Sequence, residues 1–148
     1  MTALADQREV ILAGATGLVG GQILQALLAE PNVGRVHALG RRAPNVSHPK
    51  LQVHIVDFGR LPTLPRADEV YLALGTTIKV AGSQAAFRAV DLEANLAVAQ
   101  AAVAAGARRI GVVSAAAANA TSSVFYNRVK GELEDALKAM DLAALVIA

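Results

Sequence analysis

Three glycines spaced three apart, in Gly14-Ala15-Thr16-Gly17-Leu18-Val19-Gly20, constrain the fold more than any other feature of the chain. They follow an apolar run, Val10-Ile11-Leu12-Ala13, and open a helical pattern. Strand, glycine turn and helix in that order form the phosphate-binding corner of a dinucleotide-binding βαβ unit. Gly14 suits the tight turn. Gly17 lacks the Cβ that would hold a pyrophosphate away, and Gly20 lets helix and strand pack closely. Thr16, Leu18 and Val19 share this turn, where the helix start presents free N–H groups and a partial positive charge to phosphate. A glycine-rich turn with no ligand is the plainer alternative.

The rest of the chain alternates in the same way. Short runs rich in Val, Ile and Leu predict strands over 9–13, 35–39, 51–56, 69–74, 109–114 and 142–147. Helical patterns cover 18–29, 83–105 and 124–140, with Ser83 as an N-cap and Gly106 as a left-handed stop. The segments 41–50 and 59–68 carry Pro44, Pro49, Pro62 and Pro65 and read as irregular crossovers. The expectation is one α/β domain over 1–148, a Rossmann-like, doubly wound parallel sheet. The last residues, Leu145-Val146-Ile147-Ala148, read as a buried strand, so the chain is expected to be truncated after its sixth strand.

Composition narrows the chemistry. At 148 residues the chain can bury a sizeable core, and with only 3% aromatics that core must be aliphatic. No cysteine is present, which excludes disulfides and thiolate chemistry and is compatible with a reducing cytoplasm, the expected location. His37, His48 and His54 show no ligand spacing, so no metal is expected. A net charge of +2 without a basic run gives no reason to expect nucleic acid. Asp6 and Glu9 near the start argue against a secretory segment. No apolar stretch reaches the roughly 18 residues of a membrane span, so no membrane partner is expected. The alanine-rich 83–105 helix suits packing on a sheet or a homodimer surface.

Candidate site residues fall at predicted strand ends. Arg41 and Arg42 follow the second strand, where an NAD site usually places an acid for the ribose hydroxyls. Arginine instead suits a 2′-phosphate, so the expected cofactor is NADP. Asp57 and Phe58 close the third strand, to meet an adenine or merely to form a turn. Leu74, Gly75 and Thr76 follow the fourth strand at the edge where such sheets bind ligands. Ser114 ends the fifth. Tyr126 and Lys130 lie one helical turn apart on one face. A phenol can protonate an oxygen that gains charge, an ammonium can stabilise the phenolate, and a serine can hydrogen-bond the oxygen. An ordinary surface Tyr and Lys on an amphipathic helix is the alternative.

Together these residues resemble the short-chain dehydrogenase/reductase superfamily. They are most similar to its atypical NAD(P)-binding branch, which includes the Tat-interacting-protein-like oxidoreductases. The resemblance spans essentially the whole chain. It rests on Gly14–Gly20, Leu39-Gly40-Arg41-Arg42, Leu74-Gly75-Thr76-Thr77-Ile78-Lys79 with Ala81-Gly82-Ser83, Val113-Ser114-Ala115, and Tyr126–Lys130 continuing Gly131-Glu132. It implies a Ser114-Tyr126-Lys130 active site, with Tyr126 and Lys130 also touching the cofactor. Two departures stand out. Asp91 occupies the position where the superfamily often has Asn. A segment that follows the sixth strand in relatives, often beginning Arg-Pro, has no counterpart.

The expected function is an NADP-dependent oxidoreductase acting on an unidentified carbonyl or alcohol. One alternative is a non-catalytic NADP-binding module that reports redox state to a protein partner. A weaker one is a sugar-nucleotide epimerase or dehydratase.

Overall fold

The computed structural model describes residues 7–148. The first six residues, which include the Asp6 used against a secretory segment, lie outside that description. Six parallel strands form one sheet: β1 (Arg8–Ala13), β2 (Val33–Gly40), β3 (Leu51–Ile55), β4 (Glu69–Leu72), β5 (Arg109–Val112) and β6 (Ala144–Ile147). Their spatial order is β3-β2-β1-β4-β5-β6. This is the doubly wound Rossmann order, whose direction of travel reverses between β1 and β4. The expected fold class is therefore the observed one.

Alternation along each strand sorts the core into two layers. Val10 and Leu12 of β1, with Val36 and Ala38 of β2, face α1 (Leu18–Ala29) and meet Leu24, Leu27 and Leu28. Ile11, Leu72, Ile110 and Val112 face the opposite side. There they meet Phe87 of α3 (Gln84–Arg88), Val98, Ala99 and Ala102 of α4 (Asn95–Ala104), and Val129, Leu133 and Leu137 of α5 (Phe125–Lys138). Burying each Leu or Val contributes about 1.5–3 kcal/mol. Ala99 and Ala102 are fully buried, so the small side chains of α4 do let it lie close to the sheet.

The crossovers 41–50 and 59–68 carry no helix, as their prolines predict. On the α1 face, a cleft of about 460 Å³, lined by Ile23, Leu27, Tyr71 and Val146 among others, borders β4–β6.

The expected 83–105 helix needs correction. It begins as predicted, with the Ser83 hydroxyl accepting from Ala86 N–H at 3.0 Å. It stops as predicted, with Gly106 at φ +111°. Between those ends, Ala89–Ala94 widens into a π-helical turn. The Asn95 amide donates both to the Asp91 carbonyl, at 3.1 Å, and to the Leu74 carbonyl, at 3.0 Å. That side chain ties the widened turn to the loop after β4. A short helix, α2 (Ile78–Ala81), precedes it, capped by the Thr77 hydroxyl on Val80 N–H. The strands predicted over 69–74 and 109–114 leave the ladder at Leu72 and Val112, freeing Leu74–Thr76 and Ser114 for other contacts.

Candidate functional site

The reversal of strand order opens a cleft of about 740 Å³ at the carboxyl ends of β1–β4. Each strand end contributes: Gly14 and Thr16 after β1, Arg41 and Arg42 after β2, Asp57 and Phe58 after β3, Leu74, Gly75 and Thr76 after β4. The far wall is the π-helical turn and α4, through Val90, Glu93 and Ala97. Nine of the expected cofactor residues thus border one cavity.

The glycine turn has the geometry its spacing predicts. Gly14 sits at φ +99°, and a Cβ there would lie 2.4 Å from the Ala73 carbonyl oxygen. A Cβ on Gly20 would lie 1.8 Å from the Gly14 carbonyl oxygen. Gly17 N–H donates to the Gly14 carbonyl at 3.1 Å, closing the turn. Gly17 is also the N-cap of α1 and has no side chain to satisfy the first-turn N–H groups. Those donors stay available to an anion. Gly17, Leu18, Val19 and Gly20 shape the turn from outside the cleft lining. Leu18 is 84% exposed.

Arg41 and Arg42 stand at the rim, both exposed, and neither makes a salt bridge or side-chain hydrogen bond among the described residues. Asp57 serves the turn: its Oδ1 accepts from Gly59 N–H at 2.9 Å, while the residue also lines the cleft. A free helix start, a glycine cradle that a Cβ would fill and two unengaged guanidinium groups together fit a dinucleotide.

Ser114, Tyr126 and Lys130 do not line this cleft, and each has its own surroundings. Tyr126, on the first turn of α5, is 39% exposed, with its ring 5.5 Å from that of Phe87. Lys130 Nζ lies 5.6 Å from the Tyr126 ring centroid. The one-turn spacing therefore places the ammonium over the Tyr126 ring, with no hydrogen bond between Lys130 and the phenol oxygen among the described residues. The Lys130 side chain is only 7% exposed and forms a salt bridge with Asp91, Nζ to Oδ1 at 2.6 Å. Asp91 Oδ2 accepts from Thr76 N–H at 3.1 Å. The Ser114 hydroxyl donates to Glu134 on α5, and its N–H donates to the Ala148 carbonyl.

Sequence reasoning missed Asp91 and Asn95 as a polar unit, and it missed Glu134. Two buried polar residues four apart, Asp91 and Asn95, lie on one face of this helix, but the sequence does not set them apart from its half-buried Arg88 and exposed Glu93. The histidines also differ from expectation in their surroundings. His37 Nδ1 and His54 Nε2 share a hydrogen bond of 3.0 Å across β2 and β3, and Glu9 lies 3.9 Å from His37 Nε2. Burial, reinforced by the charge of His54, pushes His37 below its ordinary value of 6.5, and burial pushes His54 down as well.

Comparison with known proteins shows the family of the chain, and solved structures share its fold. The chain is 35% identical over 149 residues to the protein fmp52, mitochondrial, of Aspergillus clavatus, covering 94% of this chain and 64% of that protein. It is 34% identical over 144 residues to FMP52, mitochondrial, of Meyerozyma guilliermondii, covering 94% and 62%. It thus spans just under two thirds of the relatives it matches. Their names place those proteins in mitochondria, which overturns the expectation of a cytoplasmic location. The absence of cysteines is compatible with more than one compartment and gives no address.

Among solved structures, MoeE5 in complex with UDP-glucose and NAD superposes with a TM-score of 0.74 at 18% identity, over 94% of this chain and 52% of that one. UDP-N-acetylglucosamine 4-epimerase from Methanobrevibacter ruminantium superposes with a TM-score of 0.76 at 16% identity, over 95% and 54%. These two share the fold. The family model described as NAD dependent epimerase/dehydratase matches residues 10–138, most of the chain. The chain therefore belongs to the NAD dependent epimerase/dehydratase family, within the short-chain dehydrogenase/reductase superfamily that its motifs resemble.

Proposed function

We propose that this chain binds NADP and serves an oxidoreductase acting on a carbonyl or alcohol. The observation that carries the reading is the single cleft shared by the glycine turn, Arg41 and Arg42, and the Leu74–Thr76 loop. The α1 N-terminus and the turn around Gly14 and Gly17 would hold the pyrophosphate. Arg41 and Arg42 would hold a 2′-phosphate, since no acid follows β2 in Leu39-Gly40-Arg41-Arg42. Asp57 and Phe58 would flank the adenine. The bound nicotinamide supplies or accepts hydride.

The proton falls to this chain. Tyr126 presents an exposed phenol to donate to a carbonyl oxygen or to accept from a hydroxyl. The Lys130 ammonium, 5.6 Å from the Tyr126 ring centroid, would stabilise negative charge that develops on Tyr126 as its proton leaves. Ser114 enters on one condition. Its proton is engaged by Glu134, so it must turn from that carboxylate before it can donate to a substrate oxygen.

Calorimetric titration with NADPH and NADH tests the cofactor. NADPH should bind more tightly, and Arg41→Ala or Arg42→Ala should each weaken it about tenfold, the worth of a charge-assisted contact. Equal affinity for both nucleotides, unmoved by either substitution, would refute NADP preference. Tyr126→Phe should abolish turnover and spare binding. Undiminished turnover would remove Tyr126 from the mechanism.

The family description favours a second reading, sugar-nucleotide epimerisation or dehydration. NAD retained through purification would support it, because a cofactor regenerated within each turnover need not leave.

A further inference from the structure

We propose that Asp91 is a positioning residue that fixes Lys130 beside Tyr126 and links its place to the floor of the nucleotide cleft. The proposal rests on reading Tyr126 and Lys130 as the proton-handling pair. The Asp91 carboxylate is 1% exposed and is used on both oxygens. One oxygen meets the Lys130 ammonium at 2.6 Å and the other accepts from Thr76 N–H at 3.1 Å. Thr76 lines the cleft, whereas Lys130 does not. Asp91 is thus a two-atom bridge between a loop that borders the nucleotide site and an ammonium on another helix.

The bridge has a local cause. The widened turn at Ala89–Ala94 directs Asp91 inward, and Asn95 secures it through the carbonyls of Asp91 and Leu74. An unpaired ammonium at this depth would not stay there, because burying a charge without a partner is strongly unfavourable. Without Asp91 the flexible lysine stem would carry its head toward water. A displacement of the Gly75–Thr76 loop would likewise pull on the carboxylate that holds Lys130.

Amine acetylation followed by mass spectrometry tests the position directly. Lys50 is the internal control, because its Nζ is held by the carbonyls of Leu28 and Glu30, away from Asp91. In Asp91→Asn, Lys130 should label about tenfold faster or more, as expected once a buried partner is removed, with Lys50 unchanged. Unchanged labelling of Lys130 would overturn the proposal. So would equal acceleration at Lys130 and Lys50, which would mark Asp91 as a general structural residue.

A second variant serves if Asp91→Asn folds poorly by that criterion. Asp91→Glu keeps a carboxylate within reach of the flexible lysine stem, so Lys130 should stay as slow to label as in the unaltered protein, with Lys50 unchanged. Faster labelling of Lys130 alone in Asp91→Glu would overturn the proposal. Neither measurement needs nucleotide or turnover. Failure of the unaltered protein to bind NADPH would refute the cofactor reading and leave these results intact.

Discussion

The nucleotide cleft and the Tyr126 face of α5 are made from different materials. The cleft is shaped chiefly by backbone: a glycine turn, a helix start and four strand ends that the strand order brings together. The α5 face depends on side chains whose places are set by distant partners, Asp91 for Lys130 and Glu134 for Ser114. A backbone site tolerates side-chain change but not added bulk. A side-chain site tolerates bulk but not the loss of a partner.

Breaking the partner should give the larger effect. Lys130→Met leaves the buried Asp91 carboxylate without its counter-charge and should destabilise the fold by about 3–5 kcal/mol in urea unfolding. Adding Asp91→Asn should recover a substantial part of that loss, because the uncompensated charge is then gone. If the double substitution is no more stable than Lys130→Met alone, the ion pair is not the source of the loss.

Bulk in the cleft comes next. Gly20→Ala would place a methyl 1.8 Å from the Gly14 carbonyl oxygen, backbone that cannot swing away. A loss of about 1–3 kcal/mol, accompanied by weaker nucleotide binding, is expected. Gly21→Ala sharpens the contrast. Its methyl would meet the Ala15 carbonyl oxygen at 3.5 Å, an ordinary contact, and alanine is the better helix former by up to about 1 kcal/mol. Equal effects at the two positions would contradict a turn built on close backbone approach.

The smallest effect concerns neither site. His37 and His54 both titrate below 6.5 in the folded protein, through burial, so the unfolded chain binds protons that the folded chain does not. Their contribution is present in full above pH 6.5 and is lost as pH falls through and below that value toward the folded midpoints. Urea midpoints measured across that window should rise with pH, and His54→Gln should flatten the slope. A slope unchanged by that substitution would remove His54 as its source.

The same contrast explains how much was legible in advance. The 18–29 helix is Leu18–Ala29 in the structure, because a glycine turn and the Pro31-Asn32 breaker bound it locally. The cleft residues were legible because each stands at the end of a strand, and strand ends can be read from short apolar runs. The 83–105 helix was read correctly at both caps and missed at its centre. Nothing local reveals that Asp91 will meet Lys130, 39 positions later. His37 and His54 looked solitary for a similar reason. Only the pairing of β2 with β3 places their rings 5.1 Å apart.

The sequence by itself determined the alternation of strands and helices, the glycine corner and its missing acid, and the one-turn spacing of Tyr126 and Lys130. These follow from backbone sterics and helical periodicity within short windows. Tertiary structure alone decided that Lys130 pairs with Asp91, that the Ser114 hydroxyl donates a hydrogen bond to Glu134, and that His37 meets His54. Buried charges and hydroxyls take whichever partner packing leaves within reach, and that choice is made across the whole chain.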